Sequence, residues 1–387
     1  MDFNYTKEQK MFEDAVKEFV KKEIIPVCLE FEDDHDGKLA HSVITKTAQA
    51  EILGLVVPEQ YGGGGGRGIE ANIALENIAY GDVGIACAIG ASWWGQTAIL
   101  MKGSPEVRDE WFPKLASKKE AHLVCMALTE PSGGTDVEDP AMGFKTLQTI
   151  ATIEGDEVVL NGRKMWPSNF DVASLYVVGC TVDPQKGEEG SLLLAVPAGT
   201  KGLSTGKNER KMGHHADRNG EIIFDNVRVP KHNIIGKVGE GVKILHRTLI
   251  YNRVGPAAMA IGAANRAYDL ALEFAKTRIV GGYPLYKHEL ASAMLFDMET
   301  KIHISRLLWQ RAAWVNMTTK GNIHYAHMAK VFATDSAMEI ATNAVELMGS
   351  YGYSKEYATE KIMRDVKIIQ IYIGSNEMIG AHAWRYM

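Results

Sequence analysis

The sequence predicts an α+β protein in three parts: an all-α N-terminal domain, a small central β-domain and a C-terminal four-helix bundle. Three observations predict it. Apolar residues recur at helical spacing through roughly the first 120 residues. Short runs rich in Val, Ile, Leu and Tyr then follow, punctuated by Gly, Asn, Asp and Pro. The helical period returns after Gly241 and holds almost to the end. The boundaries read as 1–121, 122–235 and 236–387, and 387 residues suffice because a domain takes about 100 to 200.

The elements follow in order. Met11, Phe12, Val16, Phe19, Val20 and Ile24 form one stripe that Pro26 ends, and Thr6 with Gln9 fits a capping box. Helical patterning continues over Ser42–Leu53, Glu70–Tyr80 and Thr97–Leu115, broken by Val57–Tyr61 and the run Gly62–Gly66. The period changes near Leu123, and Thr149–Ile153, Glu157–Leu160, Ser174–Thr181, Ser191–Val196 and Glu221–Phe224 read as strands closing at Val227–Pro230. Val242–Arg278, Leu285–Lys320, His324–Met348 and Glu360–Gln370 read as long helices whose short loops suit antiparallel neighbours. The two helical parts are expected to share a core or flank the β-domain, with a cleft between β-domain and bundles as the pocket.

Composition narrows the function. The net charge of -6, from 42 basic and 48 acidic residues, comes without a basic block, so no nucleic acid partner is expected. Cys28, Cys87, Cys125 and Cys180 form no CxxC pair and read as reduced thiols in a cytoplasmic protein. The N-terminus lacks signal-peptide patterning and no run of 18 apolar residues occurs, so neither export nor a membrane span is expected.

Chemistry enters at Leu128-Thr129-Glu130-Pro131-Ser132-Gly133-Gly134-Thr135-Asp136, whose hydroxyls and turn glycines offer donors to a flavin edge or a pyrophosphate, or else form an ordinary turn. Five further segments accompany it: Pro58–Gly63, Asn161–Asn169, Phe224–Pro230, Arg364-Asp365 and Ile371–Glu377. Together they resemble the acyl-CoA dehydrogenase family, in that order and over nearly the whole chain. The resemblance implies FAD at the edge of the β-domain, with Met126, Leu128, Thr129, Thr135, Trp166 and Ser168 at flavin-contacting positions. Trp166 also suits plain core packing.

The resemblance further implies a homo-oligomer, by family habit a tetramer, in which a neighbouring subunit binds the adenosine end of FAD. Arg278-Ile279-Val280-Gly281-Gly282 matches the RxxFG motif only in part, and Glu346 stands where a glutamine precedes the glycine pair, here Gly349-Ser350. Ser375 and Glu377 fall in the C-terminal flavin segment. Electrons are implied to leave through an electron-transfer flavoprotein.

Dehydrogenation needs a carboxylate to take a proton beside the thioester and a flavin to take a hydride. In the family the first comes from the glutamate of a YEGT segment, which here reads Tyr372-Ile373-Gly374-Ser375, or from a helix position that here is Asn252, before Arg253. Neither residue accepts a proton. The resemblance implies that the backbone N–H of Ile373 can still polarise the thioester carbonyl, a donor type worth about 2.7 to 4 kcal/mol.

Three explanations stay open. The first resembles the alicyclic branch, cyclohexene-carboxyl-CoA dehydrogenases, where an aspartate of the N-terminal domain removes a proton across the ring; the matching segment Ala88–Trp94 has no acid, and Ala91 or Gly90 is where one is expected. Trp93 and Trp94 then wall a flat ring or serve as helix-end packing, while Arg253, Tyr372 and Gly374 complete the substrate site. The second is base-free, desulfinase-like chemistry using Arg253, Arg218 or His214-His215 for a second anion. The third is a non-catalytic acyl-CoA-binding homologue. Asp171, Asp136 and Asp139 read as bystanders or turn formers, and no metal is expected, since adjacent histidines on a strand face opposite ways and no third ligand stands out. The leading reading is FAD-dependent oxidation of cyclohex-1-ene-1-carboxyl-CoA.

Overall fold

The computed structural model describes residues 4–138, 142 and 144–386, the side chains of Thr135 and Tyr386 excepted; Asp139 lies outside them. Five helices come first: α1 Lys7–Phe19, α2 Lys38–Gln49, α3 Gly68–Gly81, α4 Val83–Lys102 and α5 Pro105–Leu115. Eight strands follow: β1 Val124–Ala127, β2 Ile150–Glu154, β3 Glu157–Ser168, β4 Leu175–Thr181, β5 Ser191–Pro197, β6 Leu203–Asn208, β7 Asn219–Pro230 and β8 Ile234–Ile235. The chain ends in α6 Gly241–Asn252, α7 Gly255–Thr277, α8 Glu289–Thr318, α9 Ile323–Met348, α10 Ala358–Ile369 and α11 Asn376–Ala381.

Helix α1 starts as its sequence requires: Gln9 N–H donates to the Thr6 hydroxyl at 3.2 Å and the Gln9 side chain accepts from Thr6 N–H at 3.1 Å. The strands run in the order β6-β7-β3-β2-β4-β5-β8, with β1 parallel to β4 and the long β3–β7 pair antiparallel. One core joins both helical parts, packing Ile73, Ala74 and Ile78 of α3 against Ala257, Ala260 and Ile261 of α7. That approach needs Gly262, because a Cβ there would strike the Glu76 carbonyl. A second core packs Trp94, Ala98 and Ile99 of α4 on Val124, Val177 and Leu193 of the sheet.

Two expected helices divide differently. The span expected over Thr97–Leu115 is two helices broken at Gly103-Ser104-Pro105, where Ser104 caps α5 by accepting Val107 N–H at 3.2 Å. The first of them reaches back to Val83, which period-reading misses because α4 is apolar all round and carries no stripe. It has the length and composition to cross a membrane, yet 78% of its apolar window is buried inside the fold, as befits a core helix. The single helix expected over Val242–Arg278 is also two, divided at Arg253-Val254.

Candidate active site

Helices α4 and α7, the ends of β1 and β3, and the loops before β7 and after α10 enclose a cavity of about 950 Å³. Met126, Leu128, Thr129, Trp166 and Ser168 line it, as do Ala91, Trp93, Trp94, Tyr372, Ile373 and Gly374.

The β-domain wall is held by a buried ion pair. Lys164 Nζ, on β3, donates to Glu130 Oε1 at 2.8 Å and to the Leu128 carbonyl at 2.9 Å. Glu130 also accepts from Gln148 N–H at 2.6 Å and Thr149 N–H at 2.9 Å. Burial pushes its carboxyl up, but Lys164 and these donors prevail and hold it below the ordinary range. The glutamate of the Thr129-Glu130-Pro131 motif therefore fixes the loop that presents Thr129. Trp166, at φ 71°, leaves its large apolar ring 52% exposed in the cavity wall. An uncovered indole flanked by the hydroxyls of Thr129 and Ser168 is a fitting cradle for a flat flavin ring.

The α4 wall is anchored at its N-terminus and along its middle. Asp82 caps the helix by accepting Ile85 N–H at 2.9 Å and also receives Lys361 Nζ at 2.6 Å. Lys361 equally engages Asp365, whose carboxylate accepts His214 N–H at 2.6 Å, so the Arg364-Asp365 motif ties α10 to α4 and to the loop before β7. Asn169 Nδ2 donates to the Ala88 carbonyl at 2.8 Å, pinning the middle of α4 to the end of the Asn161–Asn169 motif. Trp93 and Trp94 spend their indole N–H groups on Leu53 O (2.9 Å) and Thr248 Oγ1 (2.7 Å), leaving apolar rings to shape the cavity.

The C-terminal loop is gripped from beneath. Arg253, 3% exposed, donates through Nε to Ile373 O at 2.8 Å, through an η-nitrogen to Glu138 Oε2 at 2.7 Å and through the other to His327 at 2.7 Å. It is a clamp that orders the helix end and the loop, not a cation open to a second anion. Lys330 Nζ donates to Gly374 O (2.9 Å), Gln370 O (3.0 Å) and Asn376 Oδ1 (2.7 Å). Ile373 sits at φ 52°, a strained conformation for a β-branched residue. Backbone bonds run from Tyr372 N–H to Ile368 O and from Asn376 N–H to Gln370 O, and among the described residues none takes the Ile373 N–H.

The other cations expected to serve a second anion are engaged as well. Arg218 Nε donates to Asp171 at 2.9 Å, and His215 bonds Glu32 at 2.7 Å. His214 and His215 lie in a turn, not on a strand, and His214 faces the cavity. There it meets two residues that sequence reading did not place together: Cys87 Sγ, a His214 ring nitrogen and an Asp217 carboxylate oxygen lie within 4.8 Å of one another, all buried. Asp217 Oδ2 accepts from Ser168 at 2.8 Å and Asn219 at 3.3 Å, while Lys211 donates to the Asp217 carbonyl and the Asn219 amide oxygen. A buried ammonium alongside suits a protonic pocket better than a dication. Burial pushes the Asp217 carboxyl up against Lys211 and lowers His214 to about 4. Glu138 is the second acid in the wall, its carboxyl raised by burial against the pull of Arg253.

Arg278, Glu346, Gly349, Ser375 and Glu377 do not line this cavity. Arg278 follows α7, Glu346 and Gly349 close α9, and Ser375 caps α11 by accepting Met378 N–H at 3.2 Å, with Glu377 in its first turn.

Comparison with known proteins accounts for the whole arrangement. Residues 6–119, 125–227 and 239–384 match the family models "Acyl-CoA dehydrogenase, N-terminal domain", "middle domain" and "C-terminal domain". The cyclohex-1-ene-1-carbonyl-CoA dehydrogenase of Geobacter metallireducens is 35% identical over 374 residues, 96% of each chain. Among solved structures, butyryl-CoA dehydrogenase from Megasphaera elsdenii superposes with a TM-score of 0.92 at 35% identity, covering 100% of this chain and 99% of that one. A chain from the structure of the electron transferring flavoprotein of Acidaminococcus fermentans superposes with a TM-score of 0.93 at 36% identity, with coverage of 100% and 99%. With three family domains in sequence and a cavity dressed for a flavin, the chain belongs to the acyl-CoA dehydrogenase family and is an FAD-dependent acyl-CoA dehydrogenase.

Proposed function

We propose that the enzyme oxidises an alicyclic acyl-CoA, with cyclohex-1-ene-1-carboxyl-CoA, going to the cyclic diene, as the substrate. The observation that carries this reading is Ile373: an aliphatic side chain in the cavity wall, on a backbone whose N–H meets no acceptor among the described residues. A thioester carbonyl held by that donor gains enolate character, and a ring double bond conjugated to it extends acidity to the γ-carbon, away from the Ile373 side chain. The apolar rings of Trp93 and Trp94 suit a flat cyclic group, and Tyr372 and Gly374 complete its pocket. The similarity to a protein named cyclohex-1-ene-1-carbonyl-CoA dehydrogenase supports the same substrate.

Bound FAD supplies the hydride acceptor. Met126, Leu128, Thr129, Trp166 and Ser168 are proposed to position its ring. Thr135, Ser375 and Glu377 would contribute polar contacts. Arg278, Glu346 and Gly349, which do not line the cavity of their own chain, would serve the adenosine end in a neighbouring subunit of a tetramer. The outer face of α8 suits such assembly, exposing Leu290, Phe296, Ile304, Leu307 and Trp314. An electron-transfer flavoprotein is the proposed acceptor, the cytoplasm the setting, and 1–121, 122–235 and 236–387 the domain limits. Desulfinase-like chemistry is disfavoured because Arg253, Arg218 and His215 are each paired with an acid.

Anaerobic bleaching of the flavin tests the reading. Cyclohex-1-ene-1-carboxyl-CoA is expected to bleach it and butyryl-CoA to leave it yellow. Bleaching by butyryl-CoA at an equal rate removes the alicyclic assignment, and no bleaching by any thioester points to a binder.

A further inference from the structure

We propose that Asp217 is the proton acceptor of the reaction, standing in for the carboxylate that the Ile373 and Asn252 positions lack; the assignment rests on the dehydrogenase reading above.

Among the described residues two acids line the cavity, Glu138 and Asp217. Glu138 is committed, since its Oε2 takes the Arg253 guanidinium at 2.7 Å and its protonation would strand a buried cation. Asp217 has an oxygen to spare. Its Oδ2 accepts from Ser168 and Asn219, while the fully buried Oδ1 takes no N–H or hydroxyl donor and only the weakly donating Cys87 thiol lies beside the carboxylate. Two neighbours share that condition: the His214 Nε2 and the Tyr372 hydroxyl, both buried cavity-lining groups without a partner. Polar atoms are rarely buried unpaired, because each loses its water for nothing, and two of them beside an underused carboxylate oxygen mark a spot shaped for an incoming group.

The place is also right for chemistry. Asp217 is one hydrogen bond from Ser168, the residue proposed at the flavin, and lies within electrostatic reach of Tyr372, which adjoins Ile373. A substrate held by the Ile373 N–H would share one cavity with this carboxylate. Burial favours the protonated acid while Lys211 preserves the ionised form, which is the balance a base needs near neutral pH. Cys87 does not compete: burial raises its thiol well above the usual range, and a neutral thiol takes no proton.

The step balances without a further reactant. An acyl C–H bond breaks, its proton goes to Asp217 Oδ1 and its electron pair enters the thioester-conjugated system. A hydride leaves the partner carbon for the enzyme's FAD, a new C=C bond forms, the acyl group is oxidised and the flavin reduced.

The test uses FAD-loaded wild type, Asp217→Asn, Asp217→Glu and Glu138→Gln. Three readouts are taken anaerobically with cyclohex-1-ene-1-carboxyl-CoA: its Kd, deuterium uptake from D2O into the acyl group by mass spectrometry, and the pH dependence of bleaching. Asp217→Asn is expected to slow deuterium uptake and bleaching by about 10²- to 10⁴-fold with Kd within about threefold, and to abolish the ascending limb of the pH profile. Asp217→Glu is expected to keep part of the rate with that limb displaced. A Asp217→Asn protein that exchanges and bleaches like wild type overturns the assignment, as does a loss confined to Kd or a larger loss of exchange in Glu138→Gln. Should Asp217→Asn fail to fold, an Asp217→Glu limb unmoved from wild type overturns it equally. Wild-type bleaching stands apart from all these outcomes, so the assignment can fall while the dehydrogenase reading stands.

Discussion

Arg253 Nε holds the carbonyl of Ile373 at 2.8 Å, so the residue that follows the vacant helix position supports the vacant loop position from below. Its remaining nitrogens go to Glu138 and His327, and no part of the guanidinium is left for solvent chemistry. Removing it leaves the Glu138 carboxylate buried without its cation. Arg253→Met is therefore expected to cost about 3 to 5 kcal/mol in a urea titration. Arg253→Lys, which keeps the charge but loses the fork, is expected to recover only part of that and to weaken thioester binding.

At Ile373 the prediction is a gain of function. A glutamate there returns a carboxylate to the place the family uses, on a loop that Arg253 and Lys330 already clamp. Glutamate is not β-branched and tolerates φ 52° better than isoleucine does. Ile373→Glu is expected to bleach with butyryl-CoA at least about tenfold faster than wild type, read by anaerobic absorbance at the flavin band.

The Ala91 position offers a rescue. It lines the cavity from α4 without an acid of its own. If a carboxylate facing the acyl group is what deprotonation needs, Ala91→Asp in an Asp217→Asn background is expected to raise deuterium uptake at least about tenfold over Asp217→Asn alone.

Low pH should expose His214. Burial drops its pKa from 6.5 to about 4, so between those values the unfolded chain binds a proton that the folded chain refuses. Stability then falls as pH falls from about 6.5 to about 4, by on the order of 3 kcal/mol, with no further loss from this group below that. His214→Gln is expected to flatten that part of the stability-against-pH curve, measured by thermal unfolding at fixed salt.

How much of this could be read in advance depends on what kind of signal each residue leaves. The capping box at Thr6 and Gln9 is local chemistry and was legible. Helix α4 was not, because a helix buried on every side has no amphipathic period, whereas the break before α5 does leave a local signal in Gly103-Ser104-Pro105. The six motif segments located the flavin wall and the loop at Ile373, but gave no structural role to Glu130 or Asp365, whose partners lie on other elements. Cys87 and Asp217 are 130 positions apart and meet only through the packing of α4 against the loop before β7. No spacing rule connects them. The underused oxygen of Asp217 on the cavity side is a fact of three dimensions, not of spacing.

The Lys164–Glu130 pair shows why a motif residue can be essential without touching a ligand. Both side chains are almost fully buried, and Glu130 satisfies Thr149 N–H and Gln148 N–H in addition to its cation. Glu130→Gln strands the ammonium of Lys164, and a loss of about 3 to 5 kcal/mol is expected by chemical denaturation. Thr129 is the preceding residue, and its carbonyl accepts Met165 N–H at 2.8 Å, so the loop and the start of the Met165–Ser168 wall should loosen together. The FAD content of purified Glu130→Gln is expected to fall well below wild type. The double variant Glu130→Leu with Lys164→Met removes both charges and should regain much of the stability, since an apolar pair of similar volume avoids the burial penalty. It should not regain the flavin, because leucine offers nothing to the N–H groups of Gln148 and Thr149 that shape the loop. Recovery of stability without recovery of cofactor is the result that separates holding the fold from shaping the site.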